Sequence, residues 1–351
     1  MNSQPIPQRL TRSERLYRAL LRAYPRAFRE HYAREMLLVY RDVHREVMLR
    51  RGILGLLTLW GDLLWDLAKT VPIQHVNTWR RRGEDDLALA GKDGFAMAMS
   101  FKLEVAQRTD IGRTRESNED SLFAFVPKDE AVMGAKGALL VVSDGLGGHG
   151  RGEVASELAV REVSDAYYQD ARDDVPTVLR EAVERANASI YAAGEAERAA
   201  GASDLSMGAT CVAAVLRDTT LYAANVGDSR VYILHQGNLR QITRDHSLVA
   251  QMVERGEITP DEARTHEQRH LIYRSLGMPQ VDVDTFSEPV EDGDTVILCT
   301  DGLSNVVTDD DLRAIVEQYG PDESAQQLIA RANEAGGPDN VTAIVVRVAA
   351  A

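Results

Sequence analysis

Residues 113–125 read RTRESNEDSLFAF. Glu119 and Asp120 stand side by side directly before Leu122, Phe123 and Phe125, whose spacing predicts a buried strand. The entry to a buried strand is a costly place for two carboxylates unless something there requires them. Four more strand ends carry acids in the same way. The run ALLVVSDGLGGHG (138–150) leads into Asp144 and Gly145, and LYAANVGDSRVYIL (221–234) places Asp228 between two strands. DTVILCTDGL (294–303) reaches Asp301 and Gly302, and GGPDNVTAIVV (336–346) sets Asp339 and Asn340 immediately before a strand. Singly, Asp-Gly after a strand is ordinary turn chemistry. Jointly, acid-bearing strand ends can converge on one end of a sheet, where like charges raise one another's pKa values. A divalent cation relieves that conflict. His149 apart, these turns hold no His or Cys, so hard oxygen ligands point to Mg²⁺ or Mn²⁺ and away from zinc. Arg113 and Arg115 lie just upstream, and a planar guanidinium beside a metal cluster suits bidentate capture of a phosphate. Metals with an arginine point to phosphoryl hydrolysis.

Around these acids the text consists of short apolar runs bounded by turns. Strands are predicted at 103–107, 122–126, 138–142, 210–216, 221–224, 231–234, 295–299 and 341–348, and helices at about 152–170, 176–199, 310–319 and 322–335. Strands and helices come in blocks, which predicts an α+β fold and not a doubly wound parallel sheet.

Residues 11–72 read differently. Leu16, Leu20 and Leu21, then Phe28, Tyr32, Met36, Leu37 and Tyr40, recur at helical spacing, interrupted at Pro25 and Gly52. Thr11 and Glu14 have capping-box spacing. Residues 79–100, WRRRGEDDLALAGKDGFAMAMS, lose that periodicity and switch charge sign, which predicts a linker. The chain of 351 residues is long enough for two domains: a small all-α domain at 1–78 and a larger one at 101–350. Residues 1–82 hold 16 Lys and Arg against 7 Asp and Glu, a net +9, so the remainder carries −23 of the total −14. A basic head precedes an acidic body.

Composition narrows the class. Hydrophobic content of 44% and charged content of 27% are those of a globular chain, against extensive disorder. Cys211 and Cys299 lie inside apolar runs and read as small buried thiols, which suits a reducing cytosol and no disulfide framework. The N-terminus lacks the pattern of a secretory signal. GILGLLTLWGDLLWDLAKTVPI (52–73) is interrupted by Asp62, Asp66 and Lys69, which predicts an amphipathic helix and not a membrane span. GLGGHGRGE (145–153) lacks the Lys-Ser/Thr of a P-loop and the glycine spacing of a dinucleotide loop, so nucleotide binding is not expected.

The ordered set RESNED, SDGLGG, GDSR, TDGL and PDN resembles the metal-dependent protein serine/threonine phosphatases, the PPM or type 2C family, in its bacterial form. The likeness covers residues 100–350. It implies a β-sandwich of two antiparallel sheets flanked by helices, a four-layer α-β-β-α arrangement, with metals at one edge. Residue by residue, Arg115 matches the phosphate-binding arginine, and Glu119 and Asp120 match the acidic pair. Asp120 is expected to reach a metal directly or through water. Asp144 matches the carboxylate that bridges two ions, the Gly145 carbonyl a ligand to one of them, and Asp301 and Asp339 the remaining ligands of the pair. Asp228, with Asp301, resembles the holder of a third ion. Residues 245–277 resemble the flap beside the active site, expected to touch substrate. The implied reaction is in-line attack on phosphorus by a water activated between two Mn²⁺ or Mg²⁺ ions, with Arg115 offsetting charge on the phosphoryl oxygens and no phospho-enzyme. Animal members carry a histidine after the Asp-Gly; here Leu146 stands there, and His149 reads better as a surface histidine in a glycine-rich turn.

Two other readings share these residues: a catalytically silent sensor or adaptor that binds a phosphorylated partner, and a hydrolase of small phosphate esters. A complete acid set with Arg115 argues against the first. The helical head, through its YPRAFREHYAREM core (24–36), is similar to prefix segments of some bacterial permeases. Its recurring arginines, Arg12, Arg15, Arg18, Arg22, Arg26 and Arg29, give charged helix faces that read either as a solvated surface or as a dock for a membrane protein or an anionic membrane surface, with Trp60 and Trp65 as anchors. The expected location is cytoplasmic, peripheral at the inner membrane face. No nucleic-acid motif accompanies the arginines.

Overall fold

The computed structural model describes residues 17, 20, 21, 101–147, 151–200 and 207–350. The chain divides into two units, Met1–Met97 and Ala98–Ala351. In the first, Tyr17 and Leu20 are helical, and Tyr17 and Leu21 are buried. The remaining expectations for the head, for the linker up to Ser100 and for His149 fall outside the described residues.

The second unit begins with β1 (Phe101–Asp110), β2 (Asp120–Phe125), α1 (Glu130–Lys136) and β3 (Ala138–Leu146), followed by the long helices α2 (Arg151–Gln169) and α3 (Val175–Ala199). Next come β4 (Gly208–Ala209), β5 (Cys211–Arg217), β6 (Thr220–Val226), β7 (Arg230–His235) and β8 (Asn238–Gln241). Two short helices, α4 (Leu248–Glu254) and α5 (Pro260–Thr265), lie in the flap. The chain closes with β9 (Asp284–Pro289), β10 (Thr295–Cys299), α6 (Asp301–Ser304), α7 (Asp309–Gln318), α8 (Pro321–Glu334) and β11 (Val341–Ala350).

All strand pairs are antiparallel. One sheet runs β1-β11-β10-β7-β8, the other β2-β3-β5-β6-β9, with β4 added against the end of β3. Side chains alternate across each strand, so a strand buried on both faces feeds two cores. In β3, Leu139 and Val141 join Tyr167 of α2 and Leu179 and Ile190 of α3, while Leu140 and Val142 face the other sheet. In β10, Ile297 packs with Leu312 of α7 and Leu328 of α8, while Val296 and Leu298 meet Leu140 and Val212 between the sheets. Three cores therefore separate four layers, helices outside and two sheets within, as the resemblance implied. Burying each such aliphatic side chain contributes roughly 1.5–3 kcal/mol.

Two differences from the sequence reading have physical causes. β8 and β9 were not expected, because NLRQ and DTFSEP are short and mostly polar and lie at sheet edges with one flank open. β3 does not stop at Val142. It runs on through Asp144 to Leu146, because Gly145 and Leu146 pair with β4. Asp144 is therefore a strand residue and not a turn residue.

Candidate functional site

Antiparallel pairing places Asp120, the first residue of β2, directly across from Asp144 in β3. Glu119 precedes Asp120, Asp301 opens α6 just beyond β10, Asp228 sits in the turn between β6 and β7, and Asp339 lies just ahead of β11. Strand ends from both sheets thus deliver their acids to one end of the sandwich. Asp144 lies within electrostatic reach of Asp120, Asp301, Asp228 and Asp339.

The loops bearing these acids are tied to one another. Asn340, buried, accepts the Glu119 N–H on Oδ1 at 2.8 Å and donates through Nδ2 to the carbonyls of Ile111 (3.0 Å) and Ser117 (2.9 Å). The Gly145 N–H donates to the Glu119 carbonyl at 3.0 Å. Thr210 accepts the Asp144 N–H on Oγ1 at 3.0 Å, returns its own N–H to the Asp144 carbonyl at 2.8 Å, and meets the Ser229 hydroxyl at 2.8 Å. Thr300 Oγ1 donates to Asp120 Oδ2 at 2.9 Å and accepts the Thr342 N–H at 3.0 Å. Close backbone approach at Gly302 completes the set: a Cβ there would stand 1.9 Å from the Asn340 carbonyl oxygen. Sequence reasoning gave Asn340, Thr300 and Thr210 no role. Each is an ordinary polar residue beside a strand end, and its partners lie far away along the chain.

Burial is the first cause of every carboxyl shift here. It pushes Asp120 up to about 7, with Asp301 and Asp339 adding to the push and hydrogen bonds from Thr342 and Thr300 opposing it. Asp144 is driven well above the usual carboxylate range by burial, then by Asp120, Asp301, Asp228 and Asp339. Asp228 rises through burial and then Asp301 and Asp245, and Asp301 through burial and then Asp339. Glu119 rises through burial, against the pull of Arg115. Such mutual shifts mark a site whose combined charge a bound cation would offset.

The donor set fits a hard divalent cation. Asp120 Oδ1 and Asp301 Oδ1 are buried with no hydrogen-bond partner, a costly arrangement for a carboxylate unless a cation takes those lone pairs. Among the described residues, no three His, Cys, Asp or Glu side chains already close on one point as ligands of an ion would. The closest approach is between Asp301 and Asp144, whose side chains lie within hydrogen-bonding reach of each other.

Arg115 reaches Asp339 Oδ2 with Nη2 at 2.8 Å and is about half exposed, with Asp144 and Glu119 also in electrostatic reach. Arg113 stands elsewhere: its backbone N–H bonds the Gly337 carbonyl at 2.8 Å and its stem lies against Gly337. A cavity of about 630 Å³ opens beside Asp228 and Asp301, and the flap supplies Val249, Ala263 and Arg264 to its wall. The flap is closed at its neck, where Leu248 N–H bonds the Leu271 carbonyl at 2.8 Å and Tyr273 N–H bonds the His246 carbonyl at 2.9 Å. Such an edge, with grouped carboxylates, an adjacent guanidinium and a cleft, can hold divalent cations against a phosphate.

Comparison with known proteins agrees in extent and class. Residues 113–335 match the family model described as Protein phosphatase 2C, and the chain belongs to that family. It is 39% identical over 246 residues to serine/threonine phosphatase stp of Listeria monocytogenes, spanning 68% of this chain and 93% of that one. It is 38% identical over 251 residues to the serine/threonine protein phosphatase PstP of Mycobacterium tuberculosis, spanning 71% of this chain and 46% of PstP. Among solved structures, that of PstP/Ppp from M. tuberculosis superposes with a TM-score of 0.62 at 38% identity, over 70% of this chain and 99% of that one. The catalytic domain of PstP in complex with two manganese ions superposes with a TM-score of 0.62 at 36% identity, over 71% and 100%. The family likeness covers the second unit. The similarity of the head to permease prefixes finds no counterpart in these matches.

Proposed function

We propose that this chain is a Mn²⁺- or Mg²⁺-dependent phosphatase that removes phosphate from serine and threonine side chains of proteins by direct attack of water. The observation that carries the reading is the meeting of Asp120, Asp144, Asp228, Asp301 and Asp339 at one end of the sandwich, with two carboxylate oxygens orphaned. Membership of the family and its relatives named as serine/threonine phosphatases support the same activity.

In this reading Asp144, the Gly145 carbonyl, Asp301 and Asp339 would hold two ions, with Asp144 shared between them, and Asp120 and Glu119 would form the acidic pair beside them. Asp228 and Asp301 would hold a third ion. When bound, the ions lower the pKa of an attacking water and offset charge on the phosphoryl group. Arg115 exchanges Asp339 for a phosphate oxygen pair. The exchange suits its position, since it is tied to the cage and open to solvent on one side. Asn340 keeps Glu119 in place through the Glu119 N–H, and Thr300 fixes the rotamer of Asp120 through Oδ2. Leu146 brings no proton to the leaving oxygen, which leaves that task to water.

The decisive assay measures phosphate release from phosphoserine and phosphothreonine peptides by the full chain, with EDTA, Mg²⁺ or Mn²⁺. Release that depends on the divalent ion is expected. Peptide binding with no release under any ion would support the adaptor reading instead, and release from small esters alone would support the ester hydrolase. For the head we propose docking on a membrane protein or anionic membrane surface, on the strength of its +9 charge and its Trp60 and Trp65. No helix among the described residues is long and apolar enough to cross a membrane. Deleting residues 1–82 should leave small-ester turnover intact and shift the protein between membrane and supernatant fractions. Unchanged partitioning would refute the docking.

A further inference from the structure

His246, the second residue of the flap, is only 2% exposed, and it holds Gly227 from both sides. Its backbone N–H donates to the Gly227 carbonyl at 2.9 Å, and its ring Nδ1 accepts the Gly227 N–H at 3.0 Å. Because Nδ1 accepts, the ring proton is on Nε2, which donates to Asp284 Oδ2 at 3.2 Å. Arg274 Nη1 donates to the other oxygen of Asp284 at 2.7 Å. The same Nη1 stands 3.0 Å from Nε2, but two donors cannot bond each other, so Asp284 is what secures both. On its opposite side Gly227, at φ 109°, presses on Thr210, where a Cβ would come within 2.7 Å. Thr210 is the residue that holds the Asp144 backbone. The Gly227–Asp228 turn is thus gripped between the flap neck and Thr210, the residue bonded to the Asp144 backbone.

We propose that His246 is a positioning residue for Asp228: by accepting the Gly227 N–H it sets the turn that presents the Asp228 carboxylate to the ion shared with Asp301. The inference rests on the reading of Asp228 as a ligand of a third ion. Nothing in it requires His246 to touch substrate or metal. The ring, locked by Asp284, supplies one acceptor at a fixed place. Without that acceptor the Gly227 N–H is buried and unpaired, and the turn relaxes toward whatever partner it can find.

The test uses the full chain and reads Mn²⁺ binding directly, by calorimetry and by the paramagnetic resonance signal of free Mn²⁺. Asp228→Asn is the reference and should remove the weakest binding step. His246→Leu, of similar bulk with no acceptor, should raise the dissociation constant of that step between about fivefold and a hundredfold, leaving the tighter steps unchanged. His246→Asn, whose Oδ1 stands where Nδ1 stood, should stay close to the parent. His246→Gln, whose acceptor lies at the wrong end, should follow the leucine variant, and the Asn and Gln pair decides the matter if the leucine protein does not fold. Thermal unfolding in EDTA separates a merely structural role, which would lower stability without metal and weaken all steps together. That outcome, or Asn and Gln variants that bind alike, overturns the inference while Asp228→Asn leaves the ligand reading standing. An Asp228→Asn protein with an unchanged isotherm refutes both.

Discussion

Stripped of metal by EDTA, the folded chain should lose stability as pH rises from about 4 to 8, and Asp120→Asn should remove a measurable part of that loss. Burial first, then Asp301 and Asp339, lift the Asp120 carboxyl from 3.8 to about 7. Between those values the folded chain keeps a proton that the unfolded chain has released. The contribution to stability is therefore complete below 3.8 and is lost as pH rises through about 7. At about 1.36 kcal/mol per pH unit, the ionised carboxylate costs roughly 4 kcal/mol in the folded state. An asparagine carries no such charge, and its Oδ1 can still accept from Thr300. Urea unfolding of both proteins in EDTA across that pH range reads this effect together with the relief of Asp144, whose carboxyl the Asp120 charge also pushes up. The variant should gain on the parent with rising pH, approaching roughly 4 kcal/mol at about pH 8. Saturating Mn²⁺ should reverse the order, since the parent then has a cation for its charge. Parallel pH curves for the two proteins in EDTA would show that Asp120 is not the strained, uncompensated acid described above.

Four further outcomes are expected. Asp144→Ala should abolish phosphate release while the far-ultraviolet circular dichroism and cooperative unfolding in EDTA persist; retained turnover would refute a bridging role. Arg115→Lys keeps the charge and loses the planar fork, so kcat/KM on a phosphopeptide should fall about tenfold or more with the Mn²⁺ activation midpoint unmoved. Gly302→Ala should cost roughly 1–3 kcal/mol and weaken Mn²⁺ binding, because the added methyl collides with the Asn340 carbonyl and pushes Asp301 from Asp339. Cys211 and Cys299, both buried and with their thiols pushed up to about 12 by that burial, should resist a thiol reagent in the native state and react once urea is added.

Local chemistry by itself determined much of this protein. The alternation and the apolar runs of 138–142, 210–216, 295–299 and 341–348 were legible as strands because burial on both faces admits only apolar side chains there. The long helices 151–169 and 175–199 were legible from their repeat. Acids at successive strand ends were legible as a set, since a charge beside a buried strand is out of place unless it has a task. What the residues alone did not determine depends on pairing across distance. That Asp144 lies within a strand opposite Asp120 follows from the register of β2 on β3 and from β4, a contact no local pattern encodes. Asn340 and His246 look like ordinary loop residues until folding brings Asn340 to the Glu119 N–H and His246 to the Gly227 N–H. Hydrogen bonds between segments so far apart leave no periodic trace in the chain, so only the tertiary structure decided which polar residues hold the acids in place.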